Sequence, residues 1–202
     1  MRSIRLAFML FVGGALLAPA DTSAQGPNPL SAGAKGQFTA ISSFVTRSAD
    51  KIPENLLPFR ATPEVRTIAQ LFGHIADAYF AMCSAAAGSK PPQQGLEQSA
   101  TTKASVVKAL ADGVSYCQSV MEGMTDQKGS ESVPFYFGPT PRLSILYFVT
   151  THTYEHYGNL VTYMRLNKIV PPSSEAAVPL ASETHAGEDL AVYAVGPGAE
   201  LV

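Results

Sequence analysis

Apolar side chains recur at three- and four-residue spacing in four separate stretches of the chain, and this spacing predicts four amphipathic α-helices. The predicted helices cover about residues 31–51, 67–87, 101–124 and 140–167. Their apolar faces are formed by Phe38, Ile41, Phe44, Val45 and Ile52 in the first helix, Leu71, Ile75, Ala78 and Met82 in the second, Val106, Leu110, Val114, Cys117, Met121 and Met124 in the third, and Ile145, Val149, Leu160 and Tyr163 in the fourth. Helices with one apolar face each bury those faces against one another, so the sequence predicts an all-α four-helix bundle.

Local signals mark where two of these helices begin. Thr67 followed by Gln70 fits a capping box, in which the two side chains satisfy free backbone N–H groups at the start of the second helix. Thr140 followed by Pro141 predicts the start of the fourth helix, with threonine as the N-cap and proline at the first helical position. The segment 125–139 is polar and then rich in proline and aromatic residues, and we expect a loop there.

The N-terminus has the pattern of a secretory signal peptide. Arg2 and Arg5 precede an apolar run over 6–18, which is shorter than the ~20 residues that a membrane span needs. Small residues follow, and cleavage after Ala24 would leave Gln25 as the mature N-terminus. An uncleaved N-terminal anchor is the alternative. We therefore expect an exported protein, periplasmic or secreted, without a stable membrane span after cleavage.

This interpretation divides the chain into a signal peptide at 1–24, a folded domain at 25–172 and a mobile C-terminal tail at 173–202. The tail is rich in small and acidic residues, and its apolar residues show no periodicity. The apolar tail residues that offer local packing are Leu190, Val192 and Tyr193.

The charge of the chain argues against nucleic acid as a partner. Its formal net charge is −2, and loss of the signal peptide removes two arginines and one aspartate, which leaves about −3. Binding to a phosphate backbone requires clustered Lys and Arg, and the sequence has no such cluster. A small-molecule substrate remains compatible with this composition, and the oligomeric state stays open, a homodimer included.

Three of the four histidines lie on the apolar faces of predicted helices. His152 and His156 are four residues apart on the fourth helix, so their rings share one face about one turn apart. His74 is in phase with the apolar face of the second helix, whereas His185 falls in the tail. Three inward-facing imidazoles in one bundle predict a site for a divalent transition metal. Hydrogen-bonded core histidines are the alternative.

The surroundings of the histidines offer further candidates. Asp77, Glu155 and Thr153, or backbone carbonyls, are candidate acceptors for the second nitrogen of each ring. Asp77 and Glu155 are also candidate general bases. The run from His152 to His156 matches H-x-x-E-H, the inverted zinc-protease motif, in which Glu155 would be the base. That interpretation leaves His74 without a role and leaves little chain for a protease domain.

The chain from about 29 to 172 resembles the DinB-like superfamily of bacterial four-helix metalloproteins. The resemblance rests on three runs: TIAQLFGHIA at 67–76, HTYEHYGNL at 152–160 and YMRLN at 163–167. The superfamily often has glutamine where this chain has Asn159, a departure that we do not expect to affect a metal ligand. The resemblance implies a three-histidine site for nickel, zinc or a similar divalent ion.

The resemblance also implies an up-down-down-up bundle, in which the second and third helices are parallel and a long crossover, here residues 88–100, joins them. Cys83 and Cys117 each lie 16 residues after the start of their predicted helices. In parallel helices that equal depth places the two sulfurs at equal height. We therefore expect a disulfide, which export would allow to persist. Two free buried cysteines are the alternative.

The sequence agrees with more than one activity. Some DinB-like relatives are thiol-dependent enzymes that transfer a low-molecular-weight thiol or use it in an isomerisation. Three protein ligands leave a metal position open for substrate. The sequence is thus compatible with a metal-dependent transferase or hydrolase, and with a non-catalytic metal-binding protein. The superfamily's name refers to DNA damage, but nothing in this sequence indicates DNA contact.

Overall fold

The computed structural model describes residues 26–175, and four long helices account for most of them. These are α1 at Pro29–Lys51, α2 at Ile68–Ala87, α4 at Lys103–Glu122 and α6 at Arg142–Leu166. Two single-turn helices, α3 at Leu96–Ser99 and α5 at Asp126–Gly129, lie between them. Short 3₁₀ turns occur at Glu54–Leu56 and Pro172–Ser174. The four predicted helices are therefore all present, with ends that differ by a few residues from the expected ones.

The segment that we expected to be a loop contains α5 and a β-hairpin. Strand β1, Ser132–Phe135, pairs antiparallel with β2, Gly138–Pro141, and Ser132 lies opposite Pro141. Half-buried and exposed side chains alternate along both strands. Four residues with interspersed prolines are too short for this alternation to stand out from a loop in the sequence.

The predicted N-cap of the fourth helix was wrong for the same reason. Thr140 and Pro141 belong to β2, and the Thr140 hydroxyl donates to the carbonyl of Gly138 at 3.0 Å. Helix α6 begins instead at Arg142, whose backbone N–H donates to the carbonyl of Glu131 at 3.0 Å. At the second helix the capping box is present, because Thr67 and Gln70 satisfy each other's backbone N–H groups.

The long helices share one apolar core, and contacts between their ends define their neighbours. The Ser31 N–H at the start of α1 donates to Asp126, just beyond the end of α4, at 2.8 Å. Arg142 at the start of α6 donates to the carbonyl of Ala86 near the end of α2 at 2.7 Å. The Tyr147 hydroxyl, also near the start of α6, donates to the carbonyl of Leu30 in the first turn of α1.

The predicted disulfide is present between Cys83 on α2 and Cys117 on α4. The two Cα atoms are 5.3 Å apart, and both side chains are fully buried. Among residues 26–175, no helix is both long enough and apolar enough to cross a bilayer.

The predicted domain boundaries lie after residue 24 and after residue 172. The predicted signal peptide at 1–24 and most of the tail, with His185, Leu190, Val192 and Tyr193, lie outside the described residues. The described start of the tail is packed: the Ser173 N–H donates to the hydroxyl of Tyr157 at 3.0 Å. Two residues later, Glu175 forms ion pairs with Arg47 and Lys51 on α1.

Candidate metal site

Helices α2 and α6 bring the three helical histidines together at the edge of the core. His74 comes from α2, and His152 and His156 come from successive turns of α6. The ring centroids are 4.3 Å apart for His152 and His156, 4.7 Å for His74 and His156, and 5.2 Å for His74 and His152. Each ring offers one nitrogen within 4.8 Å of the others. His156 is buried, and the other two rings are half-buried.

The spacing of the nitrogens fits the dimensions of a divalent transition-metal site. Two nitrogens that bind one ion at about 2.1 Å lie roughly 3.0–3.4 Å apart for bond angles of about 90–109°. The Nε2 atoms of His152 and His156 are 3.0 Å apart. Two unprotonated nitrogens at this distance repel each other, so the pair requires either one shared proton or a cation between the rings.

Burial keeps the α6 pair unprotonated. Burial lowers the pKa of His156 to about 4, and the neighbouring His152 and His74 rings lower it further. The pKa of His152 is also lowered, first by burial and then by His74, although Glu155 partly opposes the shift. Both rings are therefore neutral at pH 7, and each then has one nitrogen whose lone pair can bind a metal.

The hydrogen bonds of the α6 pair leave its rings weakly tethered. The Nδ1 atom of His152 is buried without a protein partner. The Nδ1 atom of His156 lies 3.5 Å from the side-chain nitrogen of Asn159, which is at the limit for a hydrogen bond. Asn159 thus lies next to a candidate ligand. An unpartnered buried nitrogen costs about 1–3 kcal/mol.

His74, in contrast, has a strong partner that the sequence did not indicate. Its Nδ1 lies 2.9 Å from Oε2 of Glu97 in the single-turn helix α3. Burial alone would raise the pKa of Glu97, but hydrogen bonds from Arg66 and His74 hold that pKa below its usual range. Because an ionised carboxylate can only accept, Nδ1 of His74 must carry a proton, and in the neutral ring this leaves the lone pair on Nε2.

The candidates that we named from the sequence have other partners. Asp77 accepts the backbone N–H groups of Leu96 and Glu97, at 3.0 and 2.9 Å. The Thr153 hydroxyl donates to the carbonyl of Val149 at 2.6 Å. Glu155 is exposed on the outer side of α6. None of the three side chains forms a hydrogen bond with a histidine among the described residues.

Two different surfaces flank the histidines. A groove of about 450 Å³ lies beside Glu97 and Asn159, and it is lined by Glu64, Val65, Arg66, Leu71, Glu97, Asn159 and Tyr163. In the other direction along α6, the ring of Phe148 lies 6.5 Å from that of His152. Phe135 and Phe137 of the hairpin pack edge-on against Phe148, at 5.9 and 5.7 Å between ring centroids. The site therefore has a polar groove at one end and an aromatic wall at the other.

A helical domain in which two helices bring three histidines together is a candidate helical metalloprotein. Its sequence matches the DinB superfamily over residues 40–160, more than half of the chain. The protein belongs to the DinB superfamily.

Comparison with solved structures gives the same fold. A DinB-like protein from Bacillus cereus ATCC 10987 superposes with a TM-score of 0.63 at 17% identity, covering 70% of this chain and 95% of that protein. A conserved protein from Enterococcus faecalis gives a TM-score of 0.56 at 14% identity, with 67% and 95% coverage. The mycothiol-dependent maleylpyruvate isomerase gives 0.52 at 13% identity, with 66% and 65% coverage. No curated protein matches the sequence.

Proposed function

We propose that this protein is an exported metalloprotein in which His74, His152 and His156 bind one divalent transition metal, zinc or nickel. The observation that carries this proposal is the convergence of three imidazoles, two with Nε2 atoms 3.0 Å apart. Lowered pKa values keep the α6 pair unprotonated at neutral pH. Nitrogen ligands of this kind suit zinc and nickel better than magnesium or calcium.

The contacts between helix ends support an up-down-down-up order of α1, α2, α4 and α6 as part of the same proposal. In that order α6 is antiparallel to α2, which agrees with the bond from Arg142 to Ala86. It is also parallel to α1, which agrees with the bond from Tyr147 to Leu30. The disulfide supports export, since such bonds persist in oxidising compartments and are rare in the cytosol.

As an activity, we propose a metal-dependent transferase of the thiol type or a hydrolase. A three-histidine site leaves a coordination position open, and the adjoining groove has room for a small molecule. When bound, the ion supplies Lewis acidity that lowers the pKa of a thiol or water at that position. The three histidines hold the ion, Arg66 supplies positive charge at the groove, and Phe148 excludes water from the opposite end. The isomerase among the structural neighbours is named for its dependence on a thiol.

Two alternatives remain testable beside this one. A non-catalytic metal-binding protein would share the ligands but turn over no substrate. An H-x-x-E-H protease would need Glu155 at the metal and a later glutamate as third ligand. The structure disfavours the protease, because Glu155 is exposed and the residue grouped with His152 and His156 is His74, not a later glutamate.

The proposal is tested on the mature chain from Gln25, purified without a histidine tag. Elemental analysis and titration with Zn²⁺ and Ni²⁺ should give about one ion per chain. His74→Ala and His156→Ala should each lose the bound ion while keeping their helical circular dichroism. Glu155→Gln is the matched control on the same helix, and it should retain the ion.

Activity is measured on the metal-loaded protein with two probe reactions. One is transfer of glutathione to an aromatic electrophile, and the other is hydrolysis of a nitrophenyl ester. Activity that disappears in His156→Ala but not in Glu155→Gln would support the enzyme. A loaded protein inactive in both reactions would favour the non-catalytic alternative. If the wild type binds neither ion, the metal site itself is refuted.

A further inference from the structure

The crossover between α2 and α4 approaches the metal ligand His74 unusually closely. Gly73, the residue before His74, has no side chain, and α3 packs directly on its backbone. A Cβ atom at Gly73 would lie 2.4 Å from the carbonyl oxygen of Leu96 and 2.6 Å from the Cα of Glu97. Any residue other than glycine would therefore push α3 away from α2. This close approach lies next to the hydrogen bond between Glu97 and His74.

A second contact, one turn further along α2, fixes the same short helix. Both carboxylate oxygens of Asp77 accept backbone N–H groups of α3, from Leu96 and Glu97. A helix of four residues has little stability of its own, so its position depends on such anchors. Gly73 thus permits the close approach and Asp77 holds it.

The side chain of Glu97 is fixed at both oxygens. Its Oε1 accepts from Nε of Arg66 at 3.0 Å, and its Oε2 accepts from Nδ1 of His74 at 2.9 Å. Only 24% of the Glu97 side chain and 25% of the His74 side chain are exposed. The carboxylate therefore has a defined position relative to the imidazole, and the arrangement is more than a transient surface ion pair.

We infer that Glu97 is the positioning residue of the metal site, and that Gly73, Asp77 and Arg66 form a clamp that holds it against His74. This inference rests on the proposed metal site. The Glu97 carboxylate fixes the ring rotation of His74 and the tautomer with the proton on Nδ1, so that the lone pair of Nε2 faces His152 and His156. A carboxylate that accepts a hydrogen bond from a ligating imidazole also makes the ring's other nitrogen a stronger electron-pair donor to the metal.

The clamp makes different predictions for different substitutions. Glu97→Ala removes the acceptor, and loss of such a partner typically weakens metal binding by about 10–100-fold. Glu97→Gln keeps one acceptor oxygen but replaces the other with an amide nitrogen that faces Arg66, so we expect a smaller loss. Gly73→Ala leaves Glu97 intact but displaces α3, and its metal affinity should fall as in Glu97→Ala.

Two controls match these changes. Gln98→Ala alters the exposed neighbour of Glu97 on the same short helix. Gly36→Ala adds a methyl group to helix α1, where nothing lies within 4 Å of the new atom. Both variants should bind Zn²⁺ with wild-type affinity. Circular dichroism and the melting midpoint establish that each variant is folded. If Glu97→Ala or Gly73→Ala does not fold, the isosteric Glu97→Gln replaces it as the test variant.

The experiment has two measurements, of which one needs no metal. Competition with a chelating dye gives the Zn²⁺ affinity of each variant. Nitrogen-15 NMR of the metal-free protein gives the tautomer of His74, which should be protonated at Nδ1 in the wild type and should lose that preference in Glu97→Ala. A structural role for α3 alone would change stability but not the tautomer of a folded variant.

The outcomes separate this inference from the proposed function. If the wild type binds Zn²⁺ and folded Glu97→Ala matches it in both affinity and tautomer, the role of Glu97 is refuted while the metal site stands. A tautomer that depends on Glu97 in a wild type that binds no Zn²⁺ would refute the proposed function and retain the positioning. Equal effects of Gln98→Ala and Glu97→Ala would also overturn the inference.

Discussion

Reduction of the bond between Cys83 and Cys117 should destabilise this protein far more than it affects the metal site. The bond joins α2 to α4 across 34 residues, and both half-cystines are fully buried in the shared core. Without the bond, the unfolded chain gains the conformational entropy that loop closure removes. Reduction therefore stabilises the unfolded state, even where the folded contacts are unchanged.

The size of the effect follows from the length of the loop. In the chain-entropy model, closing a loop of this length contributes about 4 kcal/mol to the free energy of unfolding at 25 °C. For a domain of this size, 1 kcal/mol corresponds to roughly 2–4 °C in melting temperature. Loss of the bond should therefore lower the melting midpoint by roughly 8–15 °C. The metal affinity should not change when the bond is lost, because Cys83 lies nine residues beyond His74 on α2, about 13 Å along the helix axis.

The assay compares oxidised wild type, wild type reduced with a phosphine, and the double variant Cys83→Ala/Cys117→Ala. All three are measured without metal by thermal and urea unfolding. The reduced wild type isolates the effect of the bond, and the double variant adds the loss of two buried sulfur atoms. A reduced protein that melts within about 2 °C of the oxidised one would refute the entropy argument. Two free thiols in protein purified without reductant would refute the bond itself.

Two further predictions concern buried groups. Because burial lowers the pKa of His156 to about 4 from an ordinary value of 6.5, the unfolded chain binds more protons between these pH values, and the free energy of unfolding should fall as the pH falls through this range. The loss should be on the order of 2–3 kcal/mol in metal-free protein. In His156→Gln, the urea midpoint should change less between pH 7 and pH 4 than it does in the wild type. An equal change in both proteins would contradict the lowered pKa of His156. No hydrogen bond of good geometry reaches the buried hydroxyl of Tyr79, and burial raises its pKa more than the neighbouring Thr153 side chain lowers it. Tyr79→Phe should therefore change the free energy of unfolding by no more than about 1 kcal/mol in either direction. Denaturant unfolding measures this change, and a loss above about 1 kcal/mol would show that the hydroxyl has a stabilising partner.

The sequence predicts the long helices and the three histidines because both depend on a local period. Positions three and four residues apart face the same way on a helix, so His156 could be placed on the buried face from Val149 and Leu160 alone. The same rule placed His74 on the face of α2 that includes Leu71. Whether the two faces meet depends on tertiary packing, and here the family resemblance supplied what periodicity could not.

Helical periodicity could not predict the hairpin or the contact of Glu97 with His74. The strands are four residues long, and prolines interrupt the alternation that would have revealed them. Glu97 is 23 residues from His74 in the chain, and it lies in a helix too short to show a period. The weak signal was Gly73, a glycine inside a helix next to a candidate ligand, which often marks a close backbone approach. Asp77 was recognised as an acid near the site, but its contact is with the backbone of α3.

The two helices hold the candidate ligands with unequal firmness. His152 and His156 are on successive turns of α6, so their relative height is fixed by a single continuous helix. The position of His74 relative to that pair depends on how α2 packs on α6, and its ring rotation depends on Glu97. A metal that binds all three nitrogens therefore requires the most precise alignment at His74. That is the ligand where the chain places a fixed carboxylate, even though the carboxylate must come from the segment that joins α2 to α4.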